Sequence, residues 1–285
     1  MRVRVGVGGV LATVLILAFG ARSPVAADGP AGSALYGKFV WNDLLTKDLP
    51  AARTFYASMF GWTFREQTRD GRPYLIAELD GNPVAGLLDV HDLKDADPQW
   101  VSFVSVPDVD AAVKQVTDAG GKVLVAARAV KVGGRAAVVA DPQGAPLGIA
   151  RLTGGDPTDP AQPVIGRFFW AEYLAKDGAQ AVEFYKKLLG YEATETDSTP
   201  GIHYYLLKRD RLRAGLFQLP DSVTGVRPNW LPYVRVEDPA AAADKAKSLG
   251  GKVVLQPSPE RRKGTLAIVT DPGGAALALQ KLPIS

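Results

Sequence analysis

Two acids stand in matching surroundings in the two halves of this chain. Asp43 follows Trp41 by two residues, and Glu172 follows Trp170 by two residues. A carboxylate beside an indole can serve as a general base once burial moves its pKa toward working pH. It can equally help hold a cation, or orient a flat organic molecule that stacks on the ring. Other residues with reactive chemistry are few: His91 and His203 are the only histidines, and there is no cysteine. Disulfides, thiolate metal sites and cysteine nucleophiles are thereby excluded. A two-histidine, one-carboxylate iron site needs its imidazoles side by side, whereas these two lie in different halves, so ring-cleaving dioxygenase chemistry is not expected. His91, followed by Asp92, Asp95 and Asp97, reads as part of a solvated acidic loop. His203, beside Tyr204 and Tyr205, reads as a pocket or surface residue.

The elements that position these residues repeat. At an offset of 129, Gly37, Trp41, Lys47-Asp48, Phe55-Tyr56 and Gly61 match Gly166, Trp170, Lys176-Asp177, Phe184-Tyr185 and Gly190. At an offset of 130, Trp100, Asp108, Gly120-Gly121-Lys122-Val123 and Asp141 match Trp230, Asp238, Gly250-Gly251-Lys252-Val253 and Asp271. Each half divides again into strand, helix and three strands. Asp48 is placed to cap a helix whose apolar residues recur at helical spacing from Leu49 to Phe60 and which Gly61 ends. Asp238 followed by Pro239 is a favoured helix start. Asp70-Gly71 and Asp80-Gly81-Asn82 mark hairpin turns. The expected fold class is α+β, with four βαβββ modules. The expected domains are 37–152 and 165–283, joined by a linker at 153–164.

Residues 1–27 have the layout of a secretory signal peptide. Arg2 and Arg4 precede an apolar run, and Val25-Ala26-Ala27 ends it, with cleavage expected after Ala27 and a short linker at 28–36. The run is shorter than the roughly 20 residues a membrane span needs. Lys and Arg total 33 against 30 Asp and Glu. The leader holds Arg2, Arg4 and Arg22 and no acid, so the body it leaves is neutral. A neutral body supplies no electrostatic reason to bind nucleic acid. The basic runs Lys208–Arg213 and Arg261-Arg262-Lys263 read as solvated hairpin tips. The expected location is secreted or periplasmic, with no membrane association after leader removal. The internal duplication points to a monomer.

The module opening, a strand, then Asp, then a helix ending Phe-Tyr…Gly-(Trp/Tyr), resembles the glyoxalase/bleomycin-resistance/ring-cleaving dioxygenase group, the vicinal oxygen chelate (VOC) superfamily. So do Ala140–Gly144 (ADPQG) and Thr270–Gly274 (TDPGG), each before a final strand. The resemblance implies two tandem domains, each a curled eight-stranded sheet whose concave face, or cup, holds a ligand and usually a divalent metal. It places metal ligands about seven residues before the helix-starting Asp and late in the last strand. In this chain those positions hold Trp41, Trp170, Val101, Leu231, Gly148 and Ala278. None offers a cation a donor, so no cofactor is expected unless unconventional oxygen ligands are used.

Strand alternation places Phe39, Trp41 and Asp43 on one face, and Phe168, Trp170 and Glu172 on the matching face. Across the sheets it adds Phe103 and Ser105 in one half, and Tyr233 and Arg235 in the other. With His203, these are the candidate ligand-binding residues; Asp43 and Glu172 are the candidate catalytic ones. Glu172 and Arg235 could pair. The expected function is metal-free binding of a small, partly aromatic organic molecule. The alternatives are a lyase or isomerase using Asp43 or Glu172 as base or unconventional metal ligand, or cups packed shut in a structural domain.

Overall fold

A computed structural model describes residues 33–131, 133–199 and 202–282, apart from the side chains of 197–199 and 202. The expected leader, residues 1–27, lies outside them. Among the described residues no helix is long and apolar enough to cross a membrane.

Among the described residues the fold is α+β, with two open eight-stranded sheets and four α-helices. In the first half, strand β1 (Phe39–Thr46) leads to helix α1 (Leu49–Phe60), then β2 (Thr63–Arg69), β3 (Arg72–Leu79) and β4 (Asn82–Asp89). The second module is β5 (Gln99–Ser105), α2 (Val109–Asp118), β6 (Lys122–Ala129), β7 (Gly134–Ala140) and β8 (Pro146–Leu152). The third is β9 (Phe168–Ala175), α3 (Gly178–Leu189), β10 (Glu192–Thr199), β11 (Ile202–Lys208) and β12 (Leu212–Gln218). The fourth is β13 (Asn229–Arg235), α4 (Pro239–Ser248), β14 (Lys252–Leu255), β15 (Leu266–Thr270) and β16 (Ala276–Gln280). The strand order of the first sheet is β2-β3-β4-β1-β5-β8-β7-β6, and the second repeats it.

Local chemistry sets these elements. Asp48, Asp108, Asp177 and Asp238 each accept a backbone N–H of the first helical turn, and Gly61 and Gly190 end α1 and α3 in the left-handed conformation. Asp70 and Gly71 both have positive φ, so a two-residue turn pairs Arg69 with Arg72 and fixes where β2 ends.

The halves are not independent beads. One core packs α2 and its strands against the α3 module; the other packs the α1 module against α4 and its strands. Reciprocal hydrogen bonds cross between the halves. Tyr56 donates to Asp271 (3.1 Å) and receives Trp100 Nε1 (3.1 Å); Tyr185 donates to Asp141 (2.8 Å) and receives Trp230 Nε1 (2.9 Å). The Asp-Pro turns and the Phe-Tyr helix ends, which are far apart in sequence, thus form one relay. Each turn Asp also holds its own loop, through Ala145 N or Ala275 N. Trp62 donates to Gly166 O, and Tyr191 to Gly37 O.

Candidate functional site

The helix-free face of each sheet forms a cup, and the two cups differ in filling. In the first, Asp43 is fully buried and Arg69 is 3% exposed. Arg69 Nη1 lies 3.0 Å from Asp43 Oδ2, and Asp43 Oδ1 accepts from Trp41 Nε1 and Tyr74 OH, both at 2.8 Å. The guanidinium lies 4.9 Å from the Tyr74 ring centre. Gly86 makes this possible, because a Cβ there would stand 1.8 Å from Tyr74 Oη and 2.2 Å from Asp43 Oδ1. Burial raises the Asp43 pKa, and the Arg69 charge and the two donors pull it back in part. Burial, with Asp43 adding to it, holds Tyr74 protonated. Around this cluster, among the described residues, fourteen further buried apolar side chains fill the cup, including Phe103, Val138 and, from the β4–β5 connection, Val90 and Ala96.

The second cup has the same polar design and a different filling. Glu172 Oε1 accepts from Tyr233 OH at 2.9 Å, and Glu172 Oε2 from Arg262 Nη2 at 2.6 Å. Arg262 Nη2 also donates to Tyr204 OH (3.1 Å), and its guanidinium lies 5.5 and 5.6 Å from the Tyr204 and Tyr233 rings. Burial works to lower the Arg262 pKa, but the Glu172 carboxylate and the two tyrosines outweigh it and keep it charged. The arginine arrives by another route than in the first cup. In strand register Thr199 stands where Arg69 stands, pairing with Ile202 as Arg69 pairs with Arg72. Arg262 instead comes from a short 3-10 turn, Arg262–Gly264, in which Arg262 and Lys263 both hold positive φ. Such backbone strain persists only where surroundings enforce it. Among the described residues the buried apolar side chains of this cup's cluster are only Leu231, Tyr233, Leu266 and Ala278. Trp170, Leu174, Tyr204 and Ile268 are only partly buried, whereas their counterparts Trp41, Leu45, Tyr74 and Val138 are buried.

Comparison with known proteins places this architecture. The model of the Glyoxalase/Bleomycin resistance protein/Dioxygenase superfamily matches residues 38–149 and again 167–279. The chain belongs to this superfamily. Relatives within reach of sequence include "Putative glyoxylase CFP32" of Mycobacterium bovis, 31% identical over 248 residues, covering 85% of this chain and 93% of that one. Another is "Anthracycline biosynthesis protein DnrV" of Streptomyces peucetius, 31% identical over 268 residues, covering 86% and 94%. Among solved structures, a Mn(II)-bound glyoxalase from Novosphingobium aromaticivorans matches with TM-score 0.57 at 16% identity, covering 86% of this chain and 82% of that one. A catechol 2,3-dioxygenase matches with TM-score 0.55 at 17% identity, covering 86% and 88%. At that identity these structures share the fold and carry no more.

The superfamily's usual metal positions do not fit a metal in this chain. Trp41 pairs with Phe103 across β1–β5, and Phe103 with Gly148 across β5–β8. A Cβ on Gly148 would meet the Phe103 ring at 2.1 Å, so a ring fills the space a carboxylate there would need. In the second half the corresponding positions are Trp170, Leu231 and Ala278. Among the described residues no three His, Cys, Asp or Glu side chains group to hold a metal ion.

Several expected site residues lie elsewhere. A bulge between Phe39 and Trp41 breaks the alternation, and another falls between Val234, facing Phe168, and Tyr233, facing Trp170. Phe39 therefore turns into a core against Trp230 (4.8 Å), and Phe168 into the other against Trp100 (5.0 Å). Phe169, unconsidered in the sequence, lines the second cup instead. Ser105 Oγ donates to Asp156 Oδ2 (2.6 Å), tying β5 to the chain between the halves. Arg235 does not pair with Glu172; it donates to Pro163 O. His203 is exposed and beside Glu195 (2.6 Å), and His91 beside Asp89 (2.7 Å). Trp41, Asp43 and Phe103 meet in the first cup, Trp170, Glu172 and Tyr233 in the second. The basic run Arg261–Lys263 is no plain hairpin tip, since Arg262 turns inward.

Proposed function

We propose that this protein is exported and binds a small, partly aromatic organic molecule in its second cup, without metal. One observation carries the reading: the two cups share a carboxylate–guanidinium–tyrosine cluster, yet only the second leaves its aromatic wall partly open. Trp170 and Tyr204 offer faces for stacking, worth about 0.5–1.5 kcal/mol per well-placed ring. The Glu172–Arg262 pair is charge-balanced and favours an uncharged ligand that exchanges hydrogen bonds with its rim. That two relatives are named as anthracycline biosynthesis proteins supports an aromatic ligand. The leader-like residues 1–27 support export.

The enzymatic alternative finds less support. Among the described residues Asp43 is fully buried and held by Trp41, Tyr74 and Arg69. Both oxygens of Glu172 are already engaged, by Tyr233 OH and Arg262 Nη2. Calorimetric titration of chelator-treated protein with uncharged, hydroxylated two- and three-ring aromatics tests the reading. One site per chain is expected, weakened at least tenfold by Trp170→Ala and insensitive to added zinc, nickel or manganese. Binding that appears only with metal, or that survives Trp170→Ala unchanged, overturns it.

A further inference from the structure

The connections that follow the third strand of each sheet are counterparts, and they lie differently. In the first half it runs from Val90 to Pro98, in the second from Leu219 to Pro228. Both begin with the same backbone bond, Val90 N to Thr46 O and Leu219 N to Ala175 O, each 2.8 Å. Both then turn, Leu93 N donating to Val90 O (3.0 Å) and Val223 N to Pro220 O (2.8 Å). Counted back from Trp100 and Trp230, Leu93 corresponds to Val223 and Ala96 to Val226. In the first half Val90 and Ala96 are buried in the cup and Leu93 packs on it. In the second, Val223 and Val226 are each 42% exposed, and the second cup's apolar cluster includes neither.

Two apolar side chains thus stand in water on the counterpart of the connection that closes the first cup, and the second cup's aromatic wall is only partly buried. Burying both surfaces against one guest removes apolar area from water on each. The second connection has the means to move. It is one residue longer between its starting bond and the tryptophan, and holds Gly225 at φ +82 where the first has Asp95. Its far end is tethered, because Arg227 donates to Asp97 of the first connection at 2.7 Å.

We propose that the Leu219–Pro228 connection folds down over an aromatic guest in the second cup, making Val223 and Val226 part of the binding site. This rests on the reading of the second cup as a ligand site. The cysteine-free chain makes the test clean. Val223→Cys and Val226→Cys variants are alkylated with iodoacetamide, with and without saturating 1,5-dihydroxynaphthalene, and calorimetry follows the same samples. A Val254→Cys variant, on the exposed edge strand β14, serves as the control. Closure predicts alkylation at 223 and 226 slowed about tenfold by the naphthalenediol, with no change at 254. Binding heat with unchanged alkylation at both sites overturns the closure and leaves the ligand site standing. Absence of both heat and protection overturns the ligand site, and the closure with it.

Discussion

Replacing Arg69 by methionine isolates the charge balance of the first cup. The guanidinium and the Asp43 carboxylate are buried and 3.0 Å apart, so removing one partner costs about 3–5 kcal/mol. The cost depends on pH. Burial already raises the Asp43 pKa, and loss of the positive charge raises it further. A folded-state pKa above the unfolded value makes stability greatest below the unfolded pKa, near 4, and lowers it as pH rises toward the folded value. The slope there reaches about 1.4 kcal/mol per pH unit. Arg69→Met is therefore expected to lose less against the parent at pH 5 than at pH 8. Asp43→Asn keeps the Oδ1 acceptor for Trp41 and Tyr74 but strands the guanidinium charge, again at about 3–5 kcal/mol. The double variant removes both charges, together with the Arg69 Nε and Nη2 groups that are buried without a hydrogen-bond partner. It should cost less than either single change, with a coupling of at least about 2 kcal/mol. Urea unfolding at both pH values measures all four corners of the cycle. Additive single costs below about 1 kcal/mol each would show that water reaches the carboxylate and that the first cup is open.

The relay between the halves predicts that Tyr56→Phe and Tyr185→Phe each cost about 1–3 kcal/mol in urea unfolding, because each strands a buried indole N–H and a carboxylate oxygen. Residues 33–152 expressed alone should show no cooperative thermal transition by circular dichroism, since both cores draw side chains from both halves. Gly148→Ala should lower stability by about 1–3 kcal/mol by forcing the Phe103 ring aside. Trp41→Ala should cost about 3–5 kcal/mol and Trp170→Ala clearly less, as only the first indole is fully packed. Mass spectrometry of secreted protein should find Asp28 at the amino terminus.

Much of the architecture was legible because the duplication repeats its punctuation: capping aspartates, helix-ending glycines and Asp-Gly turns recur at fixed offsets. What misled was regularity itself. Counting every second residue from Asp43 back to Phe39 assumes an unbroken ladder, and a bulge is one extra residue with no mark of its own in the apolar pattern. Arg262 was hidden for a different reason. A run of basic residues between strands looks the same whether its middle member faces water or a carboxylate ninety positions earlier. Tyr74 and Tyr204 left a fainter trace: Gly86 and Gly215 on the neighbouring strand, two ladder positions away from their direct partners Leu88 and Phe217, leave room for the tyrosine hydroxyls. The contrast between the cups depends on where two loops lie, and loop placement leaves no periodic trace.

Fusing two copies into one polypeptide also changes what mutation can do. In a symmetric dimer of single copies, every substitution appears twice, so a change that plugs one hollow plugs both. Here the mutual core keeps the partners together while each copy drifts on its own. One can become ballast, its basin solid with rings and branched chains, and lend rigidity to a sibling that stays receptive. Asymmetry of that kind is closed to a dimer of identical chains.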